Sequence, residues 1–202
     1  KEVDFIRQGV TLDNSSIVEI GAGYGRTCHT LLSNFDIAHY CIIDLPNALQ
    51  LSRRYLWEVL APASFERISF ISVADFNPSK LGNFDLAINI DSFAEMDQEV
   101  VHEYQAFIDT HCTNFYTKNP VGKYYDKSLD GHSQGHEVIE LALRQGVLTD
   151  ILDIDSQSGV NEASKKFLKA YAPSAAWSVK ADSWAVPFSY IWQALFEKAN
   201  RA

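Results

Sequence analysis

The amino-acid sequence predicts an α/β fold with a mostly parallel sheet and helices on both faces. Short apolar segments of strand length alternate along the chain with longer segments of helical periodicity, a pattern typical of repeated βα units. A glycine-rich turn joins the first apolar segment to the helical segment that follows it. Because crossovers between parallel strands are right-handed, helices are expected on both sides of the sheet.

Five strands are predicted up to residue 118, each from a short apolar run. They span residues 17–20, 39–44, 68–72, 84–90 and 114–118. The helices predicted around them span residues 1–10, 25–34, 46–60 and 95–109. Pro46 supports the start of the third of these helices, because proline is well suited to a first helical turn.

The remainder of the chain has a weaker periodicity. A polar loop with three glycines spans residues 119–135, and its length indicates a functional role. Beyond it we predict helices at 136–145 and 161–171, a strand at 149–154, a strand or pair of turns at 176–185, and a closing helix at 188–199.

Length and composition favour one globular domain over residues 1–202. A chain of 202 residues can bury a substantial core, and 47% apolar with 21% charged residues is ordinary globular composition. No apolar run approaches the roughly 18 residues that span a bilayer, and no signal-peptide pattern follows Lys1. We expect a domain outside the membrane and, because the chain starts without methionine, a piece of a longer protein.

Net charge and cysteine content restrict the class of partner. The net charge of -9 and the pI near 5 disfavour DNA or RNA, because nucleic-acid binders usually present a basic surface. The three cysteines, Cys28, Cys41 and Cys112, show no CxxC spacing. We interpret them as reduced, mostly buried thiols of a cytoplasmic protein rather than as zinc ligands.

The glycine-rich turn after the first strand carries the clearest functional signal. It reads Glu19-Ile20-Gly21-Ala22-Gly23-Tyr24-Gly25. Glycines let a ligand approach bare backbone, and the next helix offers N-terminal amides to a carboxylate. A dinucleotide-binding turn needs a small residue at position 26, which is Arg26 here, so an NAD-linked oxidoreductase is disfavoured. The G-x-G-x-G spacing with a preceding acid is instead typical of S-adenosylmethionine binding.

Three acidic residues near strand ends are candidates for contacts with that cofactor. Asp44 ends the second strand and is predicted to accept hydrogen bonds from both ribose hydroxyls, with a helix cap as the alternative. Glu19 is predicted to face the methionyl ammonium, or else to satisfy backbone amides. Asp75 is predicted to accept from the adenine amino group, or else to start a turn.

Four segments resemble known methyltransferases. VEIGAGYGR (18–26) and IIDLP (42–46) resemble the class I methyltransferases, and AINIDSFAEM (87–96) with FYTKNP (115–120) narrows the resemblance to the sugar O-methyltransferase family. The resemblance covers roughly residues 15–145. It implies a Rossmann-like, seven-stranded sheet whose last strand is antiparallel. It also implies S-adenosylmethionine as cofactor and a sugar or glycosylated small molecule as methyl acceptor.

The resemblance further assigns residues around the cofactor. In this class the ends of the fourth and fifth strands line the acceptor pocket, so Asn89, Ile90 and Asp91 would flank the cofactor. No NPPY-type tetrapeptide follows the fourth strand, which favours an oxygen acceptor. The predicted cofactor contacts are Glu19, Gly21, Ala22, Gly23, Tyr24, Gly25, Asp44, Leu45, Asp75, Phe76, Asn89, Ile90 and Asp91.

A sugar hydroxyl is a weak nucleophile, so a general base is expected within hydrogen-bond distance of it. The candidates are Asp91, Glu95, His132 and His136, and we predict that His136 acts with one of the two carboxylates. Each candidate has an alternative role. Asp91 would cap the following helix, Glu95 would stabilise the helix dipole, and the histidines would be solvated surface residues.

The loop after the fifth strand supplies the predicted substrate contacts, which are Asn119, Lys123, Tyr124 and His132. Its lysines would bind the phosphates of a nucleotide-linked sugar, and its tyrosines would stack on a ring. The alternative is an ordinary solvated loop.

Other functions fit the same sequence. One is methyl transfer to another small metabolite, such as a phenol or a carboxylate, and another is a cofactor-binding but inactive domain that serves in assembly. No metal is predicted, although Asp91 with Asp126 or Asp130 could hold a divalent cation. The oligomeric state does not follow from the sequence.

Overall fold

The computed structural model describes residues 1–125 and 135–199, which form an α/β fold around one sheet. Its seven strands are β1 (Ser16–Ile20), β2 (His39–Asp44), β3 (Ile68–Ser72), β4 (Phe84–Ile90), β5 (Cys112–Pro120), β6 (Trp177–Trp184) and β7 (Ile191–Lys198). Their order is β3-β2-β1-β4-β5-β7-β6. Strands β1 to β5 all pair in parallel, and β7 runs antiparallel to both β5 and β6.

Helices connect the strands and cover both faces of the sheet. They are α1 (Glu2–Ile6), α2 (Arg26–Asn34), α3 (Pro46–Val59), α4 (Pro62–Phe65), α5 (Gln98–His111), α6 (His136–Arg144) and α7 (Gln157–Tyr171). Two short 3-10 turns lie at Pro78–Lys80 and Ser92–Glu95. In the part of the chain that the structure describes, no helix combines the length and apolar character needed to cross a membrane.

The five strands predicted up to residue 118 are confirmed. β2, β3 and β4 have the predicted bounds, β1 begins one residue earlier, and β5 extends two residues further at each end. The seven-stranded sheet and its antiparallel last strand are confirmed as well. The three cysteines are buried free thiols, as predicted.

Two predicted elements are wrong. Residues 188–199 contain β7 rather than a closing helix, because an apolar run this short fits either periodicity and β5 and β6 supply backbone partners on both sides. Residues 149–154 form no strand, and Ile151 makes one isolated bridge with Lys123. The segment 176–185, which the sequence left between strand and turns, contains β6.

The two faces of the sheet carry separate cores. Alternation along β1 directs Val18 and Ile20 into a cluster with α5 and α7, whereas Ile17 joins a cluster with α1, α2 and α3. The parallel register places Ile20 opposite both Ile43 of β2 and Asn89 of β4. The carboxyl ends of three neighbouring strands therefore meet at one edge, where open α/β sheets bind ligands.

Candidate functional site

The three glycines after β1 have different surroundings. A methyl group on Gly21 would collide with the side chain of Ser92, and one on Gly25 would lie 2.9 Å from Leu56. A methyl group on Gly23 would meet no protein atom within 4 Å, and its φ of 59° lies in the left-handed region that favours glycine. Gly21 and Gly25 thus permit close packing, while Gly23 leaves its backbone open to a cleft.

Asp44 is bound to the same turn. Its Oδ2 accepts a hydrogen bond from the backbone N–H of Gly23 at 2.8 Å, and its Oδ1 accepts from Leu45 N–H at 2.7 Å. Leu45 is the N-cap of α3, and no side chain caps that helix, so the alternative of a helix cap does not describe Asp44. Each carboxylate oxygen keeps a second lone pair that can accept from a ligand.

A cleft of about 560 Å³ opens beside this turn, and we name it the glycine-turn cleft. It is lined by Gly21, Gly23, Ile43, Asp44, Leu45, Val73, Phe76, Ser92, Glu95, Met96, Val100, Glu103 and Tyr104. Of the predicted cofactor contacts, the structure brings Gly21, Gly23, Asp44, Leu45 and Phe76 together here. Its volume lies in the range typical of small-molecule sites.

Sequence reasoning missed much of the apolar wall of this cleft. Val73, Met96 and Tyr104 line it, but nothing in their local sequence marks them as ligand contacts. The helical spacing of Val100 and Tyr104 indicates an inward-facing stripe of α5. That spacing was the available signal, although it does not distinguish a core from a cleft.

Glu19 lies behind the turn rather than among the residues that line the cleft. It is buried, and the hydroxyl of Tyr40 donates a hydrogen bond to its Oε2 at 2.7 Å. Burial raises the pKa of Glu19 to about 7, although the contacts with Tyr40 and Thr27 favour the charged form. The direct contact with a methionyl ammonium stays a prediction from the sequence.

Asp75 lies in a different concavity from its neighbour Phe76. The side chain of Asp75 is exposed beside Phe70 and Lys80, whereas Phe76 lines the glycine-turn cleft. The alternative of a turn is partly realised, because Asn77 Oδ1 accepts from the N–H of Ser79 and caps the 3-10 turn that follows.

Asn89 ties the end of β1 to the segment after β4. Its buried amide donates to the carbonyl of Ile20 at 3.0 Å and to Ser92 Oγ at 2.6 Å, while its Oδ1 accepts from Asn119 Nδ2 at 2.8 Å. Asn119 is fully buried as well, and its amide also donates to Thr117. Both asparagines therefore hold neighbouring strand ends in place, and neither lines the glycine-turn cleft.

Three other predicted cofactor contacts belong to the same region without lining the cleft. Ala22 and Ile90 pack against the apolar cluster that contains α2 and α3. Tyr24 is exposed and packs edge to face on Tyr55 with ring centroids 5.2 Å apart. Their assignment to the cofactor stays a prediction.

A second cleft, of about 630 Å³, adjoins the first and is named the β5 cleft. It is lined by Asp91, Ala94, Glu95, Pro120, Gly122, Lys123, Tyr124, Tyr125, Ile139, Ala142, Leu143, Gln145, Tyr190 and Ile191. Glu95 lines both clefts. The predicted substrate contacts Lys123 and Tyr124 are thereby brought together with the predicted bases Asp91 and Glu95.

Asp91 and Glu95 occupy the segment between β4 and α5. Asp91 has a φ of 65° and precedes the 3-10 turn without capping it through its side chain. Glu95 ends that turn and precedes α5, which begins at Gln98. The cap and helix-dipole alternatives therefore do not account for either carboxylate. Partial burial raises the pKa of Asp91, although the charges of Lys118 and Arg26 oppose this rise.

Lys123 and Lys118 bring positive charge to the carboxylates. Lys123 Nζ donates to the carbonyl of Ala94 at 2.9 Å, and burial lowers its pKa while the charge of Glu95 opposes the shift. Lys118 is buried, and its Nζ lies 2.9 Å from Glu2 Oε1. Burial acts to raise the pKa of Glu2, but the hydrogen bonds from Lys118 and from the backbone, together with the charges of Lys118 and Arg26, outweigh burial and lower the pKa to about 2. No sequence signal identified Glu2.

The structure does not bring His136 into either cleft. It begins α6 with an exposed imidazole, and its Nε2 lies 3.3 Å from Glu140 Oε1 one turn further along. The prediction that His136 is the general base is therefore not supported, because a surface pair within one helix satisfies its ring. His132, Asp126 and Asp130 lie outside the described residues.

The fold is that of the class I methyltransferases. The methyltransferase domain of bacterial CtHen1 superposes with a TM-score of 0.63 at 13% identity, covering 98% of this chain and 94% of that chain. PigF with SAH gives 0.59 at 15% identity, covering 98% and 54%. An O-methyltransferase family 2 protein from Planctomyces limnophilus in complex with apigenin gives 0.58 at 11% identity, covering 92% and 51%.

The chain thus spans about half the length of the last two of these proteins. No family model and no curated protein sequence matches it. At these identities the likeness shows the fold, and the chemistry follows only from the residues of the site itself.

Proposed function

We propose that this chain is an S-adenosylmethionine-dependent O-methyltransferase acting on a small molecule. The glycine-turn cleft would hold the cofactor and the β5 cleft the acceptor. The observation that carries the proposal is the junction of the two clefts at Glu95. A carboxylate at that junction can reach both a bound donor and the hydroxyl that it methylates.

The residues around the glycine-turn cleft are compatible with S-adenosylmethionine. The open position beside Gly23 admits a ligand against bare backbone, and Asp44 has lone pairs for ribose hydroxyls. Val73, Phe76 and Met96 offer an apolar wall suited to a base ring. PigF, a fold neighbour, carries SAH in its structure, which supports the same class of cofactor here.

The chemistry divides between the cofactor and the side chains. When bound, S-adenosylmethionine supplies a methyl group on a positively charged sulfur. Asp91 or Glu95 would accept the proton of the acceptor hydroxyl as the new O–C bond forms. Partial burial raises the pKa of Asp91, which makes its carboxylate a stronger proton acceptor. Lys123 would hold the acceptor through its ammonium group.

We propose a sugar or a glycosylated small molecule as the first acceptor class. The rings of Tyr124, Tyr125 and Tyr190 line the β5 cleft and can stack on the apolar face of a sugar ring. The carboxylates of Asp91 and Glu95 can accept hydrogen bonds from its hydroxyls. Lys123 could pair with a linked phosphate.

A phenol is the second candidate acceptor. The same tyrosines favour a flat aromatic ring, and the Planctomyces limnophilus neighbour binds apigenin.

The free buried thiols of Cys28, Cys41 and Cys112 support a cytoplasmic location for the enzyme in either case.

Two measurements test the proposal in sequence. Calorimetry with S-adenosylmethionine and S-adenosylhomocysteine should register binding of both, and absence of any uptake by folded protein overturns the cofactor assignment. Mass spectrometry should then find a mass gain of one methyl group on sugar nucleotides. Transfer to phenols alone would select the second acceptor class. Binding without transfer to any hydroxyl compound would identify a cofactor-binding domain without this activity.

A further inference from the structure

The apolar side of α6 forms one wall of the β5 cleft. Ile139, Ala142 and Leu143 lie at i, i+3 and i+4 spacing, so they share one helix face, and all three line the cleft. Ile139 and Leu143 are half-buried, and α6 has no fully buried residue. The face therefore borders the cleft instead of packing into a closed core.

The carboxyl end of α6 is fixed beside the junction of the two clefts. Gly146, just past the helix, donates its N–H to the carbonyl of Met96 at 2.7 Å. A methyl group on Gly146 would lie 3.1 Å from the backbone of Ala94. Because Met96 lines the glycine-turn cleft and Ala94 the β5 cleft, this contact fixes the end of α6 where the two clefts meet.

The β5 cleft consequently combines two kinds of surface. One surface is charged. Glu95 lies where the β5 cleft borders the glycine-turn cleft, and Asp91 and Lys123 also line the β5 cleft. The α6 wall adds Ile139 and Leu143, neither of which lines the glycine-turn cleft. A volume of about 630 Å³ is typical of sites that enclose drug-sized ligands and leaves space beyond one sugar ring.

We propose that the acceptor is an amphiphilic glycoside whose apolar aglycone lies on the α6 wall while its sugar hydroxyls face the carboxylates. This inference rests on the proposed function and specifies its substrate class. A free or nucleotide-linked sugar would leave the α6 wall facing water, whereas an alkyl or aryl aglycone would cover it. Removal of apolar surface from water would then add to the affinity in proportion to the area covered.

A pair of glucosides tests this assignment on the whole chain. We expect hexyl β-glucoside to bind at least about tenfold tighter than methyl β-glucoside in a ligand-observed NMR titration with S-adenosylhomocysteine present. Leu143→Asn should reduce this ratio to about threefold or less, because it places a polar group in the wall. Ile139→Asn should act in the same direction.

The helix offers a matched control in Leu141→Asn. Leu141 is exposed and does not line the β5 cleft, and its replacement by asparagine changes helix propensity by the same amount. The ratio of the affinities for the two glucosides in this variant should therefore equal that of the unmodified chain. Equal affinity for the two glucosides, no binding of hexyl β-glucoside, or an equal loss in Leu143→Asn and Leu141→Asn overturns the inference.

Cofactor affinity separates the two proposals. Calorimetric binding of S-adenosylhomocysteine without selectivity between the glucosides sinks the inference and leaves the proposed function standing. If the chain binds no cofactor but still prefers hexyl β-glucoside in a way that depends on Leu143, the amphiphile site stands and the proposed methyl transfer is wrong. Retained cofactor affinity in the α6 variants shows that they are folded.

Discussion

Side-chain hydrogen bonds join the strand ends beside the glycine-turn cleft, whereas the β5 cleft is bounded by segments that extend as far along the chain as Ile191. Asp44 bonds to the turn at Gly23, and Asn89 bonds to the end of β1, so each joins neighbouring strand ends. The β5 cleft depends on the segment after β4, the end of β5, and α6. We therefore expect substitutions around the glycine-turn cleft to change cofactor affinity. Substitutions in the β5 cleft should change turnover or acceptor affinity and leave cofactor affinity nearly unchanged.

The largest expected effect comes from Gly23→Val. The new side chain would occupy the open space where we place the cofactor, so binding of S-adenosylhomocysteine should fall below detection in calorimetry, by more than about 1000-fold. Gly135→Val is the matched control, because Gly135 also has a positive φ and open surroundings but lines neither cleft. Equal losses in both variants would attribute the effect to backbone strain.

The next largest effect concerns the base in the β5 cleft. Asp91→Asn or Glu95→Gln should lower kcat by about 100-fold or more while cofactor affinity stays within a few-fold. Glu99→Gln, an exposed acid on α5 outside both clefts, should retain the activity. If His136→Ala causes the 100-fold loss and both carboxylate variants do not, the assignment of the base to the carboxylates is wrong.

Glu19 links the support of the glycine-turn cleft to pH. The pKa of Glu19 is about 7 in the folded chain and near its ordinary value of 4.5 in the unfolded chain. The contribution of this carboxyl to stability is therefore complete below about pH 4.5 and is lost as the pH rises through 7. Glu19→Gln should remove this loss. Its free energy of unfolding relative to the unmodified chain should rise by about 3 kcal/mol between pH 4.5 and pH 8.

Urea titrations of both proteins at several pH values measure that difference. Glu99→Gln, an exposed substitution of the same type, should show a constant difference across the range. A constant difference for Glu19→Gln as well would mean that the buried carboxyl binds its proton no more tightly than in the unfolded chain.

The smallest of these effects is expected for Asp44→Ala. Loss of the carboxylate should weaken S-adenosylhomocysteine binding by about 1.5–3 kcal/mol, because two ribose hydroxyls lose their acceptor. Asp75→Ala should leave the affinity unchanged, since Asp75 lies outside the cleft. A loss in Asp75→Ala that matches Asp44→Ala would instead support the contact with adenine that the sequence predicts.

The sequence predicted the first cleft far better than the second. The turn at Gly21 and Gly23 can be recognised in the sequence because its backbone geometry restricts the residue type. Asp44 then follows at the end of the next strand. The sequence did not show that His136 lies outside both clefts, because sequence position reveals neither which side of α6 faces the β5 cleft nor that Glu140 pairs with the histidine.

The strands inside the sheet were predicted equally well from the sequence, but the carboxyl-terminal elements were not. Parallel strands buried on both faces appear as short apolar runs, and β2 to β4 have the predicted bounds. The run that forms β7 has the same composition as a buried helix. Its conformation depends on β5, which lies far from it in sequence, and on the nearby β6, because both strands supply its hydrogen-bond partners.

The sequence by itself determined the order of the βα units, the glycine turn and its carboxylate partner, because each is set by residues close together in the chain. Tertiary structure alone decided that Glu95 joins two clefts, that Glu2 reaches Lys118, and that α6 presents Ile139 and Leu143 to the β5 cleft. Those contacts join segments far apart in the chain, and local periodicity carries no information about which distant surfaces meet.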